Sequence, residues 1–296
     1  MARLSPSQYC TLALQPANES GYAALPAQLL SAERSLSAEG GTKVSEYNRI
    51  LLRFLLEEFQ AETALWVQPP SILELYDGEL RRLEDICTAQ NDDYFRFEND
   101  LYRKDLAILL RRLIPFGAEF ATPYSGIPRS LLVRAGAKQA IRFLQVLAAS
   151  RGASPFLELH MHPGSSSEFT PSGWIECYER LADFLAFNPE FLGVQSTSWF
   201  LDPALKKISP RLAYLREVPE QCGACILFAG ADKEGKSGAL AKSPTRLKLY
   251  ESGEYQPRLY TRIWPRIRIL QRHWRSLADD TANEVLHHTA GNDVHL

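Results

Sequence analysis

Apolar side chains recur every three to four residues from Val44 through Tyr47, Leu51, Leu55 and Phe59, the spacing of one face of an α-helix, with Thr42 placed to cap its start. The stretch 66–70, with its two prolines, marks the end of that helix. A second helix is expected to begin after Ser71 or Asp77 and to reach Thr88. A third runs from Asp100 through Leu106, Leu109 and Leu113 to Pro115. Residues 1–40, rich in Ala, Ser, Leu, Gly and Pro, sustain neither a helical nor a strand period. They read as a loosely structured arm with one short helix near 25–34.

The period changes after Pro115. Residues 117–121 are short and strand-like, 123–128 carry turn residues, and 130–133 form a second short apolar run. A helix is predicted over 137–149, with Ile141, Leu144 and Leu147 or Ala148 on its apolar face, followed by a strand over 156–162. Three later helix starts share a hydroxyl residue followed by proline: Thr170-Pro171, Ser209-Pro210 and Ser243-Pro244. The hydroxyl can accept a bond from a free helical N–H, and proline at the first helical position has no N–H to leave unpaired. Between them the pattern places strands at 191–200 and 224–229, with a last one at 258–264. Helices alternating with strands from 137 to 229 predict an α/β (α+β) fold, in which helices cover a mixed, partly parallel sheet and a helical region precedes it. The expected divisions are a flexible arm at 1–40, a helical region at 41–115, an α/β domain at 116–275 and a polar tail at 276–296.

Composition narrows the class of partner. Thirty-three basic and 35 acidic residues give a formal net charge of -2, so no global field draws the chain to nucleic acid or to a membrane surface. A small-molecule substrate is expected instead, with neither nucleic acid nor membrane as partner. The five cysteines, Cys10, Cys87, Cys177, Cys222 and Cys225, are odd in number and scattered, which fits a reducing compartment. No stretch approaches the roughly 18 apolar residues of a membrane span, and the start lacks a leader pattern. A cytoplasmic protein is expected.

The 156–162 segment carries the densest chemistry. If it is a strand throughout, Glu158, His160 and His162 leave one face, with alternate Cα atoms about 6.6 Å apart. Such a trio can bind a metal, Fe or Zn, or can supply a general base beside a tuning carboxylate. Solvated histidines on a polar strand face are an equally good reading. The other histidines, His273, His287, His288 and His295, lie in or near the tail, so no third imidazole ligand is evident in the body of the chain. Ser196, Ser198, Trp199 and Asp202 mark the carboxyl end of the next strand, where open α/β sheets bind ligands. Asp202 can serve there as an acid or base, or can hold the turn before Pro203. Arg211, at the first turn after Ser209-Pro210, and Arg246, at the start of the Ser243 helix, are placed to hold an anion at a helix N-terminus. Cys222 and Cys225 have the spacing of half a metal or redox site. Phosphate-loop, nucleophile-elbow and dinucleotide fingerprints are absent from the sequence.

Two resemblances follow from these motifs. The block comprising 126–129, 156–160, 169–174, 198–203, 209–215 and 264–266 resembles a family of bacterial proteins of unassigned activity, over roughly residues 95–270. The order Val133-Arg-Ala-Gly-Ala-Lys-Gln, helix, Phe156-Leu-Glu-Leu-His-Met-His, then a helix bearing Tyr178-Glu-Arg-Leu-Ala-Asp-Phe, is similar to the core of the GNAT acyltransferases. Val133 stands where that family has Arg or Gln, and Asp183 precedes Phe184 where it has Gly. The resemblance implies a GNAT-like core that binds acyl-coenzyme A. Arg134, Gly136 and Ala137 would then form the pyrophosphate turn, Glu158 or His160 the general base, and Tyr178 the proton donor to the thiolate. Trp174, His162 and the residues around Ser198 would border the substrate. The leading expectation is therefore acyl transfer to a small amine or hydroxyl. A metal-dependent enzyme built on Glu158, His160 and His162, and a non-enzymatic ligand-binding or scaffold protein, are the alternatives.

Overall fold

A computed structural model of the chain describes residues 4–15, 21–63, 66–89, 91–232, 238–241 and 243–274. They divide into two compact units. The first comprises the described residues up to Pro123 together with Met161–Ser166; the second takes up 124–160 and the remainder from Ser167.

The first unit is helical. Its elements are α1 (Pro6–Ala13), α2 (Ala27–Glu39), α3 (Gly41–Thr63), α4 (Pro70–Thr88) and α5 (Asp100–Leu109), followed by the short strand β1 (Ile114–Pro115), which pairs antiparallel with the start of β2 (Phe120–Ser125). The predicted apolar stripe of α3 is its buried face: Leu51, Leu52, Leu55, Leu56 and Phe59 pack against α1, α2, α4 and α5. Each such burial contributes about 1.5–3 kcal/mol relative to an exposed side chain. Residues 4–15 and 27–39, expected as a loose arm, belong to this packing. Ser5 and Gln8 close a reciprocal capping box at α1, and Tyr9 is fully buried with its hydroxyl donating to Asn48 Oδ1 at 2.6 Å. Asn48 in turn donates to Glu33 Oε1 and the Phe95 carbonyl, both at 3.0 Å. The amphipathic pattern of 1–40 is weak because α1 and α2 are anchored through this polar hub as much as through an apolar stripe. The predicted tail beyond 276 lies outside the described residues.

The second unit carries α6 (Gly136–Ser150), β3 (Phe156–His160), α7 (Pro171–Phe187), β4 (Gly193–Ser198), α8 (Leu205–Ile208), α9 (Tyr214–Gln221), β5 (Cys225–Ala231), α10 (Gly238–Ala241), α11 (Pro244–Glu251), β6 (Arg258–Pro265) and α12 (Arg266–Ile269). The sheet is six-stranded and mixed, in the order β1-β2-β3-β4-β6-β5. β3 and β4 are parallel and joined through α7, whereas β6 runs antiparallel to both β4 and β5. Phe156, Leu227 and Ile263 meet Phe143 and Val146 of α6 in one core cluster. On the opposite face, Trp264 lies 5.1 Å edge-on from Tyr178 of α7.

Three sequence expectations change here. β3 ends at His160 rather than 162, because Pro163 and a turn closed by Ser165 N–H donating to the His162 carbonyl divert the chain. The strand β2 runs on through Pro123 to Ser125, where turn residues were expected. In α6 the buried face is Gln139, Phe143, Val146 and Ser150, so Ile141 and Leu144 point outward, each 57% exposed. Gln139 decides this orientation. Its side-chain amide donates to the Phe228 carbonyl at 3.0 Å and accepts from the Phe228 N–H at 2.9 Å, satisfying the free edge of β5 as another strand would.

Two of the three hydroxyl-proline starts cap as expected. Thr170 accepts from Gly173 N–H and Ser243 from Arg246 N–H. Ser209 makes no cap: the chain enters a single 3-10 turn at Pro210–Leu212, and α9 begins only at Tyr214. No helix among the described residues is long and apolar enough to cross a membrane.

Candidate functional site

Two carboxylate-centred clusters, one in each unit, bear on function. In the first, Asp105 on α5 is fully buried. Arg82 on α4 grips it with both terminal nitrogens, Nη2 to Oδ1 at 2.5 Å and Nη1 to Oδ2 at 3.1 Å, while its Nε donates to Glu79 Oε2 at 2.8 Å. The Tyr94 hydroxyl donates to Asp105 Oδ2 at 2.5 Å. His162, also buried, brings Nε2 to 3.3 Å from Asp105 Oδ1, a close electrostatic contact rather than a well-aligned hydrogen bond. Gly164 N–H donates to His162 Nδ1 at 3.1 Å, so in the neutral ring the proton sits on Nε2, facing the carboxylate. The ring packs on Phe120 at 4.7 Å. Burial pushes the Asp105 pKa up, yet the close contact of His162 and the bonds from Arg82 and Tyr94 outweigh it and hold the carboxyl below its ordinary range. For Arg82, burial opposes the charge, and the bond to Asp105 with the charges of Asp105 and Glu79 prevails, so the guanidinium is held protonated more firmly than usual. Burial, then the neighbouring Asp105 charge, pushes the Tyr94 hydroxyl far up, fixing it as a donor.

In the second unit the face of the sheet that packs on α6 turns polar towards the carboxyl ends of β3 and β4. Strand alternation puts Glu158 and His160 on this face. Glu158 pairs in register with Gln195, and Gln195 with Ile263 of the α6-side core. The Ser125 hydroxyl donates to Glu158 Oε2 at 2.8 Å and accepts from Gln195 Nε2 at 3.1 Å. Thr197 and Thr261 share a hydroxyl–hydroxyl bond of 2.8 Å across β4 and β6. The first turn of α6 opens at the same end of the sheet: Gln139 lies on Phe228, Phe228 pairs with Tyr260, and Tyr260 with Ser198, the last residue of β4. Gly136 starts that helix at φ +73°, and Ala135 before it supplies no side-chain cap. Its first-turn amides are therefore not capped by a side chain, at the positive end of a 15-residue helix.

The remaining candidates are distributed differently from expectation. His162 is not on β3 but beyond it, in the Asp105 cluster, so the common strand face assumed for a Glu158, His160 and His162 metal trio does not exist. Among the described residues no group of three or more His, Cys, Asp or Glu is arranged to hold a metal. Tyr178, 1% exposed on α7, accepts from Arg262 Nη1 at 3.3 Å on the face opposite Glu158, so the structure does not bring the expected base and acid together. Trp174 packs beside Tyr178, and its buried indole N–H has no hydrogen-bond partner among the described residues. Ser196 is buried opposite Arg262, and Ser198 caps the 3-10 turn by accepting from Phe200 N–H. The Trp199 ring lies 3.9 Å from that of Phe200, tilted by 31°, and under the Arg246 guanidinium at 4.8 Å.

Arg246 is buried, donating through Nε to the Ala239 carbonyl and through Nη1 to Ser209 Oγ, so its donors serve the fold rather than an anion. Asp202, 2% exposed, accepts from Ala204 N–H and Arg258 N–H and holds the turn. Arg211 is exposed on a 3-10 turn, without the α-helix start expected behind it. Arg134 and Ala137 are exposed beside Gly136. Burial pushes the Cys222 thiol up to about 11 and raises that of Cys225, so neither is a ready thiolate.

Sequence reasoning missed Arg82, Tyr94 and Asp105, and also Ser125 and Gln195. An aspartate among the apolar residues of α5, Asp105 between Lys104 and Leu106, was the one legible signal. No family model matches the chain, and no curated protein or solved structure matches it either.

Proposed function

We propose that the second unit is an acyltransferase site for a small amine or hydroxyl substrate, with Glu158 as its general base and the start of α6 as the seat of an acyl-coenzyme A pyrophosphate. One observation carries the reading: a half-buried carboxylate, tethered through one oxygen by Ser125, lies on a polar sheet face at the same end as a helix start without a side-chain cap. Backbone N–H groups and the helix dipole at Gly136 and Ala137 suit a phosphate, with Arg134 adjacent. Bound there, the coenzyme would supply an activated acyl carbonyl. Glu158 would take the proton of the attacking amine or hydroxyl as the new bond to the carbonyl carbon forms; the carbon–sulfur bond would then break, and the departing coenzyme A thiolate would take up that proton to leave as the thiol. Ser125 keeps the carboxylate oriented, and Gln195 keeps Ser125 turned towards it.

Ala137→Glu tests the seat. A carboxylate in the first helical turn favours the helix but repels a pyrophosphate. Isothermal titration should show micromolar acetyl-coenzyme A or a longer acyl thioester binding to the wild type, falling about tenfold or more in the variant at unchanged or raised melting temperature. Absence of any coenzyme A thioester binding to the wild-type protein would remove the proposal.

A further inference from the structure

The segment 126–155 carries five cations, Arg129, Arg134, Lys138, Arg142 and Arg151, and no acidic residue, in a chain whose net charge is -2. Within it, α6 presents outward Ala137, Ile141, Leu144 and Ala148, spaced i, i+4, i+7 and i+11. Ile141 and Leu144 are each 57% exposed, and Val133, just ahead of the helix, is 78% exposed. Gln139, Phe143, Val146 and Ser150 face the opposite way into the unit, so the exposed stripe is a second apolar face that no described residue covers. Lys138 and Arg142 project along one flank of this stripe by their helical angle, and Arg134 and Arg151 stand at its two ends. Arg129, Arg134, Lys138 and Arg151 are exposed; Arg142 is partly exposed, with Glu220 of α9 4.0 Å away.

We infer that this face of α6 is a docking surface for an anionic lipid bilayer, on which the helix lies parallel to the surface with Val133, Ile141 and Leu144 immersed. Charge complementarity selects the occupant. A second copy meeting this face about a two-fold axis would oppose cation to cation, and like charges brought together disfavour that contact. A folded acidic protein would be expected to engage aromatic anchors, and the stripe has none, only small and branched aliphatic side chains. Aliphatic residues on the outward ridge with arginine and lysine beside them are what an interfacial helix uses: the apolar groups leave water while each nearby cation adds about 1 kcal/mol of attraction to anionic headgroups. The overall net charge hides this patch because acidic residues elsewhere in the chain balance it.

The full chain is tested by co-sedimentation with phosphatidylcholine vesicles and with vesicles containing phosphatidylserine. Binding is expected to the anionic vesicles alone, and to fall steeply between about 0.05 M and about 0.5 M salt as the charges are screened. Ile141→Ser with Leu144→Ser should weaken it about tenfold or more without lowering the melting temperature, since both side chains are already solvent-exposed. Lys138→Glu should weaken it separately while leaving the apolar stripe intact. The inference is overturned if the wild type fails to sediment with phosphatidylserine vesicles at low salt, or if the double serine variant binds them equally well. It is also overturned if light scattering shows a dimer that the double variant dissociates. Equal binding of wild type and double variant to soluble poly-glutamate, with no vesicle binding, would reassign the patch to acidic proteins and likewise end the bilayer reading.

Discussion

Asp105 and Glu158 are both carboxylates fixed by hydroxyl donors, yet their surroundings assign them opposite work. Asp105 is fully buried, and both of its oxygens are engaged, by Arg82 twice, by Tyr94 and by the His162 ring. Glu158 is half-buried, and among the described residues its hydrogen bond comes from Ser125 alone. A carboxylate saturated by a guanidinium and a tyrosine has no lone pair left for a substrate proton and is costly to disturb. One bound through a single neutral hydroxyl keeps an oxygen for chemistry. Completeness of the partner set, more than residue type, separates the structural cluster from the candidate catalytic one.

The contrast is broken most directly at Asp105. Asp105→Asn removes the fully buried negative charge from Arg82, which is partly exposed and keeps Glu79 as a partner, and should cost about 1.5–3 kcal/mol, read from urea unfolding. Replacing both partners, Asp105→Leu with Arg82→Met, should cost less than the sum of the two single changes, because their mutual coupling is then lost once rather than twice. The sign with pH follows from the lowered pKa of Asp105. A depressed carboxyl stabilises the fold fully above the ordinary aspartate pKa of about 3.9 and loses that contribution as pH falls through this value towards the folded one. Urea midpoints from neutral pH downward should therefore drop more steeply at the acid end in wild type than in Asp105→Asn. Parallel curves would show that the cluster does not hold the unit.

A smaller effect is expected at Gly164. A Cβ there would stand 3.0 Å from His162 Nδ1 and 3.2 Å from Cε1. Gly164→Ala must shift the ring by a few tenths of an ångström within its packed site beside Asp105, with a destabilisation of about 1–2 kcal/mol. In the Asp105→Asn background the same change should cost measurably less, since the ring has already lost its charged partner. Equal costs in both backgrounds would mean that Gly164 acts through the loop backbone alone.

These two clusters also show where sequence patterns reach and where they stop. The apolar spacing of α3, the caps at Thr170 and Ser243, and the strand centres of β3 to β6 were legible because each follows from local periodicity or cap chemistry. The orientation of α6 was not, because two apolar stripes compete in its sequence and the outcome rests on Gln139 pairing with Phe228, 89 residues away. His162 was read as the third polar residue of a strand because alternation continues through Met161; the chain leaves the strand one residue earlier to reach a partner, Asp105, that no local pattern connects to it. The Glu158 carboxylate was legible as a candidate from its place on β3. Its tether was not, since Ser125 and Gln195 lie 33 and 37 positions away and come together only through the sheet and the chain entering α6.

Ser125→Ala removes the donor to Glu158 and the acceptor of Gln195 together, at a cost of about 1 kcal/mol. The smallest stability effect belongs to Glu158→Gln. The amide is nearly isosteric, the site is half-exposed, and no cation among the described residues pairs with the carboxylate, so the unfolding free energy should change by less than about 1 kcal/mol. If Glu158 is the general base of acyl transfer, the same substitution should lower kcat by about 10²–10⁴-fold, with acyl thioester binding at α6 unchanged. Ser125→Ala should lower kcat less than Glu158→Gln, because it loosens the orientation of the base without deleting it. The two clusters are then separated by a double dissociation: Asp105→Asn should lose stability with the turnover of the remaining folded protein intact, and Glu158→Gln should lose turnover with stability intact. A Glu158→Gln protein that keeps its kcat, or one that unfolds as readily as Asp105→Asn, would erase the distinction and return Glu158 to the frame of the sheet.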